Sequence, residues 1–412
     1  MSGRSGGRYV TLLRTNPDLR RLYLSRLVSF GGDWFLLVPM LGLVNELSGS
    51  SVLTAAVLAA NTLPAFLASP LGGVMADRFD RRRIMMGANL AAAAAATGML
   101  LVDHPAVLRA GAGVPLALTG LAILAALSAL ISPASSAALP ALVEPEDLAD
   151  ATFLIESTWG TMAAVGSALG GLVSTLGGRE AAIGIDAVSF LVAAFLVWRI
   201  RSPLRVRAAE GHVLPATLRA AGRYVLAHPP IAALLTSKAG FAVFSAGAVA
   251  LLPVLALDVF GAGDDGIGWL LGARGLGVLL GPFLIRRVVG GVDRKMLTAI
   301  GFAMALWGLS YFGTASAPTI GLAAVAVLIG HMGAGGQWSI SSYGLQRYAS
   351  DEVKGRIFGL DFAFVTATAT ASQLMFGWLA ESIAIRSLLR GIAAVAVVFG
   401  LVWWRSTRKY WT

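Results

Sequence analysis

An all-α membrane protein of twelve transmembrane helices, arranged as two pseudo-symmetric six-helix bundles, is the fold class that this sequence predicts. Three observations lead there. The 412 residues are 57% apolar and 13% charged, with a mean hydropathy of +0.75, too little polar side chain to cover a soluble globule of that length. The apolar residues gather into runs long enough to cross a bilayer. The basic residues fall between those runs. A net charge of +10 would suit a nucleic-acid binder only with the bases collected on one soluble face, so no nucleic-acid partner is expected. The chain has no cysteine, which excludes disulfides and thiolate metal sites and leaves the redox compartment undetermined.

Arg4, Arg8, Arg14, Arg20 and Arg21 precede the first apolar run. That run is too long for a signal h-region and has no obvious cleavage site, so it is expected to stay as a helix. With about twenty residues needed for a hydrocarbon core of about 30 Å, spans are placed at Leu22–Asn45, Val52–Met75, Ile84–Val102, Val114–Leu142, Ala151–Leu176 and Ala181–Trp198. After a polar stretch from Arg199 to Pro229, the others run at Ile231–Phe260, Ile267–Ile285, Met296–Thr314, Thr319–Ile340, Ile357–Ala380 and Ile383–Trp404. This divides the chain into an N-terminal bundle (1–200), a cytoplasmic linker (201–228) and a C-terminal bundle (229–412).

Lys and Arg set the orientation. One side of this plan holds only Arg109, Arg179, Arg386 and Arg390, and Lys238 and Arg274 lie inside spans; the remaining basic residues share the side of the N-terminus. Both termini and the linker are therefore expected in the cytoplasm, with Trp198, Trp403 and Trp404 at the same boundary. A plasma (inner) membrane location follows.

Between the second and third spans, Gly73-Val74-Met75-Ala76-Asp77-Arg78-Phe79-Asp80-Arg81-Arg82-Arg83 reads as a short charged hinge. It resembles the loop 2–3 signature of the major facilitator superfamily: glycine, three residues, an acid, a base, a spacer, glycine and two bases. Asp80 stands where that pattern has its second glycine. In the fifth span, Gly166-Ser167-Ala168-Leu169-Gly170-Gly171 is similar to the glycine-proline-x-x-glycine-glycine motif of proton-coupled antiporters in the superfamily, with Ser167 in place of proline. A Gly-rich helix contact would read the same way. Gly31-Gly32-Asp33-Trp34, the loop, Leu169-Gly170-Gly171 and Asp186-Ala187-Val188-Ser189-Phe190 together resemble the bacterial drug and siderophore exporters of the superfamily. The resemblance covers nearly the whole chain. It implies a small-molecule substrate, proton exchange and a monomer in membrane lipid.

The halves also read as copies. Ser135-Ser136, Leu139, Phe153 and Glu156 recur as Ser341-Ser342, Leu345, Phe358 and Asp361, and Gly281-Pro282 before Asp293-Arg294-Lys295 echoes loop 2–3. Two six-helix halves related by an axis along the membrane normal, with substrate at the midplane, describe the resembled fold.

An ionisable group inside a span costs several kcal/mol unless it faces a cavity or a partner, so each embedded one is a candidate for function. Asp33 lies about 16 Å along the first span, with Phe30 on its face and Trp34 beside it. It reads as a proton carrier or substrate contact, or as a permanent partner in a packing ion pair. Lys238, with Phe241 and Ser245 on its face of the seventh span, is the expected partner of Asp33, either as a switch or as a fixed pair. His331 in the tenth span, two turns before Trp338, is a second proton site or a hydrogen-bonded histidine with no such role. Glu156 and Asp361 suit proton pickup, or a cytoplasmic gate in which Arg294 with Lys295 and Arg81 with Arg82 pair with them. Asp77 can cap the eleventh span. Asp186 and Arg274 are assigned a similar part at the other membrane face.

No catalytic residues, metal site or cofactor are expected. No Walker-type loop is present, and the longest polar stretch is too short for a nucleotide-binding domain. The candidate residues are mostly aromatic, apolar and small, which suits hydrophobic or amphiphilic solutes better than sugars. The expected function is therefore export of such drug-like compounds in exchange for protons and not enzyme chemistry. Export of an endogenous siderophore or lipid, and a non-transporting receptor or scramblase on the same fold, stay as alternatives.

Overall fold

The computed structural model describes residues 5–204, 222–289, 293–349 and 354–410. Helices α1 (Ser5–Thr15), α2 (Pro17–Ser48), α3 (Ser51–Arg78), α4 (Arg81–Met99), α5 (Pro105–Arg109), α6 (Gly113–Ala138) and α7 (Leu148–Trp198) come first. Then follow α8 (222–227), α9 (Pro229–Ala250), α10 (Leu252–Val254), α11 (Gly263–Val289), α12 (Asp293–Ser316), α13 (Ile320–Tyr348), α14 (Lys354–Ala380) and α15 (Ile385–Thr407). Among the described residues there is no strand.

Among the described residues, ten helices are long and apolar enough to cross a membrane. The other two expected spans have visible physical reasons for standing apart. Helix α4 is only 19 residues long and opens on three arginines. The fifth and sixth spans run together as α7, broken only at Gly178, whose φ of +81° is a conformation that favours glycine. The expected seventh span ends earlier as an α-helix. Pro253 cannot continue the hydrogen-bond ladder, so α9 stops at Ala250 and the chain finishes the span through α10 and a π-turn at Leu255–Val259.

The chain forms two compact units, Met1–Leu47 with Ala60–Ala209, and Ser48–Ala59 with Glu210–Thr412. In the first, α4 packs on α6 and α7 around Leu19, Leu22, Met85, Ala134, Ala151 and Val197. In the second, α11 packs on α13, α12 on α13 and α15, and α9 on α14. Apolar helices gain little by leaving lipid for one another, so close approach depends on small residues. Gly301 and Gly400 meet across α12 and α15, each pressed on the other's carbonyl oxygen.

Candidate functional site

In the first unit, Asp33 lies on α2 at a point where two other helices close in. Ser128 of α6 donates its hydroxyl to Asp33 Oδ2 at 3.2 Å. The first half of α7 approaches through the glycines of the antiporter-like motif. A Cβ on Gly166 would sit 2.9 Å from Trp34 Cβ and 3.0 Å from the Gly31 carbonyl oxygen, and one on Gly170 would sit 2.8 Å from Phe35 Cα. Gly171 is buried beside them. These glycines therefore act as helix contacts on either side of Asp33, as the packing reading of the motif expects.

The second half of α7 brings Asp186. Gly32 packs on it so tightly that a Cβ at position 32 would collide with Asp186 Oδ1 and Ser189 Oγ. Asp186 is wholly buried and within electrostatic reach of Asp33. Its Oδ1 accepts a long hydrogen bond from Ser189 Oγ, 3.4 Å, while its Oδ2 has no hydrogen-bond partner among the described residues. Asp33 itself keeps part of its surface exposed. Arg26, one residue in from the same helix's buried Ser25, acts on Asp33 electrostatically and lies 4.1 Å from the centre of the Phe30 ring. Phe30 thus supports a cation.

In the second unit, Lys238 finds a partner other than the one expected. Its Nζ donates to Asp361 Oδ2 at 2.6 Å and to Ser342 Oγ at 2.8 Å, and stands 4.5 Å from the centre of the Trp338 ring. Asp361 therefore serves this lysine, from about two helix turns inside α14. Ser237, Ser341 and Gln337 continue the network, with Ser237 Oγ 3.0 Å from Ser341 Oγ and Gln337 Nε2 reaching both hydroxyls. Trp338 remains 45% exposed while Lys238 is 2% exposed, so the ring covers the ammonium and turns its other face outward.

His331 belongs to a separate cluster. Its Nδ1 is 3.0 Å from the Val327 carbonyl oxygen, and it packs edge-on to Trp307 and Tyr311 of α12. Phe241 lies edge-on to Trp307 at 5.3 Å and is buried; Ser245 is half-buried. Arg274 acts electrostatically on Tyr311 and His331, which puts it in this cluster.

The charged loop is tied to its own unit. Asp80 is the N-cap of α4, accepting from the backbone N–H of Arg82 at 2.9 Å and Arg83 at 3.4 Å. That explains an acid at the position where the resembled pattern has glycine. Arg81, 5% exposed, donates to the carbonyls of Ala76 and Ala137, and Arg82 to that of Ser202. Ser202 is also held by Asp18, which accepts from its N–H and hydroxyl. Arg81 and Arg82 are thus bonded to main-chain carbonyls of their own unit. Arg78 and Lys295 are exposed. Gly73 lies within α3, and the side chains of Asp77, Glu156 and Arg294 are outside what the structure describes. An open cleft of about 410 Å³ beside Asn16, Asp18 and Ser202 includes none of the expected site residues in its walls.

Sequence reasoning missed the closeness of Asp33 to Asp186 and the burial of Arg26, which depend on which spans are neighbours. It also missed the Asp80 cap, although an acid followed by a run of helix residues is a recognisable start signal.

Residues 13–410 match the family model described as transmembrane secretion effector. The chain is 25% identical over 394 residues to the multidrug efflux pump Tap of Mycobacterium tuberculosis, covering 92% of this chain and 91% of that protein. It is 26% identical over 194 residues to the putative bacilysin exporter BacE of Bacillus subtilis, a match spanning 45% of this chain and 44% of BacE. Among solved structures, the POT family transporter PepTSo aligns over 96% of this chain and 98% of its own, with a TM-score of 0.73 and 15% identity. A D-xylose-proton symporter aligns over 94% and 96%, with a TM-score of 0.69 and 14% identity. The fold is that of the major facilitator transporters, and the chain belongs to the transmembrane secretion effector family of that superfamily.

Proposed function

We propose that this protein is a secondary active exporter of hydrophobic or amphiphilic small molecules, working by alternating access in exchange for protons with Asp33 in the coupling path. The observation that carries this reading is the setting of Asp33: a carboxylate in mid-helix, bonded to one serine hydroxyl, within reach of a second buried acid and still partly exposed. A permanent packing pair would instead put a lysine or arginine on its oxygens, and Ser128 is the partner found. Relatives named as a multidrug efflux pump and a bacilysin exporter support outward transport of small organic compounds. The bundles are assigned to 1–200 and 229–412 about a linker at 201–228, in a monomer in the plasma membrane with cytoplasmic termini. No cofactor and no enzyme activity belong to this reading.

The test is ethidium accumulation in everted vesicles, for the native chain and Asp33→Asn, with and without a proton uncoupler. Uncoupler-sensitive pumping that Asp33→Asn abolishes is the expected result. Pumping unaffected by Asp33→Asn would remove Asp33 from the path and turn attention to Glu156, His331 and Asp361. The bacilysin exporter match favours one second reading, a dedicated exporter of an endogenous product; native protein that moves no ethidium but carries one cellular product would establish it.

A further inference from the structure

Helix α13 exposes two kinds of surface. Leu322, Val325 and Ile329 form an exposed aliphatic stripe along it, which suits lipid chains. Trp338 follows Ile329 by nine residues, which at about 100° each puts it half a turn round the helix from that stripe. It lies instead about two turns past the buried His331, on the inward face. An indole that is 45% exposed there is open on the side away from lipid. On its covered face the ring meets a fixed charge. Lys238 Nζ stands 4.5 Å from the ring centre, held by Asp361 Oδ2 at 2.6 Å and Ser342 Oγ at 2.8 Å. The lysine is itself buried, so a solute over the indole meets this ammonium only through the ring. An aromatic ring offers electron density on both faces, and a cation bound to one face draws on the density available at the other. A second cation would therefore meet a depleted ring and a like charge behind it, whereas a neutral or anionic ring meets neither penalty. Asp361, bonded to the same ammonium, tempers that field without removing it.

We propose that the open face of Trp338 is a stacking platform for planar aromatic solutes, and that Lys238 beneath it sets the charge the platform accepts, favouring neutral and anionic rings over cationic ones. Trp338 makes the contact. Lys238 acts through the indole and does not touch the solute. This names a substrate class within the export reading and rests on that reading for its part in transport, though the binding itself does not. Ethidium, a planar cation, binds this face less tightly than a neutral dye of the same outline.

The test is calorimetric titration of the purified full chain in nanodiscs of zwitterionic lipid, with empty nanodiscs subtracted. The probes are a naphthalenesulfonate anion and the matching trimethylnaphthylammonium cation, one ring system with opposite charges. The anion should bind about fivefold more tightly than the cation. Trp338→Ala, at a position exposed enough to tolerate it, should weaken the anion about tenfold. Trp338→Phe keeps a ring and should keep the preference with weaker binding. Lys238→Met with Asp361→Leu removes both charges and should raise cation affinity about fivefold, erasing the difference. Anion binding that Trp338→Ala leaves unchanged, or that does not exceed empty nanodiscs, overturns the platform. A charge preference that survives in the double variant overturns the part given to Lys238. Trp338-dependent binding by a protein that moves neither naphthalene probe nor ethidium into everted vesicles upholds the platform and counts against the export reading instead.

Discussion

Each unit holds a carboxylate among its helices, and the two are met in opposite ways. Asp361 in the second unit meets an ammonium at 2.6 Å, itself covered by an indole ring and a serine. Asp33 in the first unit meets a hydroxyl and lies near another acid. A carboxylate locked to a lysine has its charge matched by a bonded ammonium. One resting on a hydroxyl is not so matched. Placing the acid in mid-span is therefore not enough to make a proton site; the neighbour decides.

The largest effect should come from the first unit. Asp33→Asn should abolish uncoupler-sensitive ethidium efflux while expression and melting temperature stay near native, since Asn still accepts the Ser128 bond. In the second unit the order is reversed, with folding affected before transport. Lys238→Ala strands Asp361 as an unpaired charge, and removing one partner of a buried pair costs on the order of 3–5 kcal/mol. The melting temperature should fall sharply, and Lys238→Met with Asp361→Leu should recover most of it. Recovery absent in the double variant would mean that the lysine does more than neutralise Asp361.

A smaller effect separates packing from charge around Asp33. Gly170→Leu forces a side chain onto the Phe35 backbone, and overpacking of this kind costs about 1–3 kcal/mol. Efflux should fall together with stability, without a change in uncoupler sensitivity of what remains. An exposed acid supplies the control. Glu381 accepts from Val52 N–H at 3.0 Å and Ser50 Oγ at 2.8 Å at the start of α3, and these bonds hold its carboxyl below the usual glutamate value of 4.5. A depressed value stabilises the fold above pH 4.5, and the gain is lost as pH falls through the folded-state value. The native protein should therefore out-melt Glu381→Gln slightly at neutral pH, and the gap should close in acid. Solvent keeps that gap small.

Much of this was legible in the sequence for a physical reason: hydrocarbon thickness fixes span length, and the cost of charge in lipid marks out Asp33, Lys238, His331 and Asp361. Which of them meet was not legible, because partnership depends on helix neighbours that no spacing along one helix reveals. Lys238 takes Asp361 from α14, and Asp33 lies near Asp186 from the far end of α7. The repeat aligned Glu156 with Asp361, but did not say that Asp361 answers a lysine on α9. The loop arginines were read as free charges for a gate, whereas a guanidinium near unpaired helix-end carbonyls binds those first.

Arg81 shows that the same side chain serves at two moments in the life of the molecule. While the nascent hairpin of α3 and α4 enters the bilayer, its guanidinium is hydrated and counts among the basic residues that decide which way the hairpin faces. Once α6 arrives, it is 5% exposed and spent on the carbonyls of Ala76 and Ala137. Biogenesis asks only for a positive charge at this position, and lysine would meet that demand. Maturation asks for a forked donor that reaches two helix ends at once, which lysine does not supply. The arginine is the residue that satisfies both the translocation step and the finished fold.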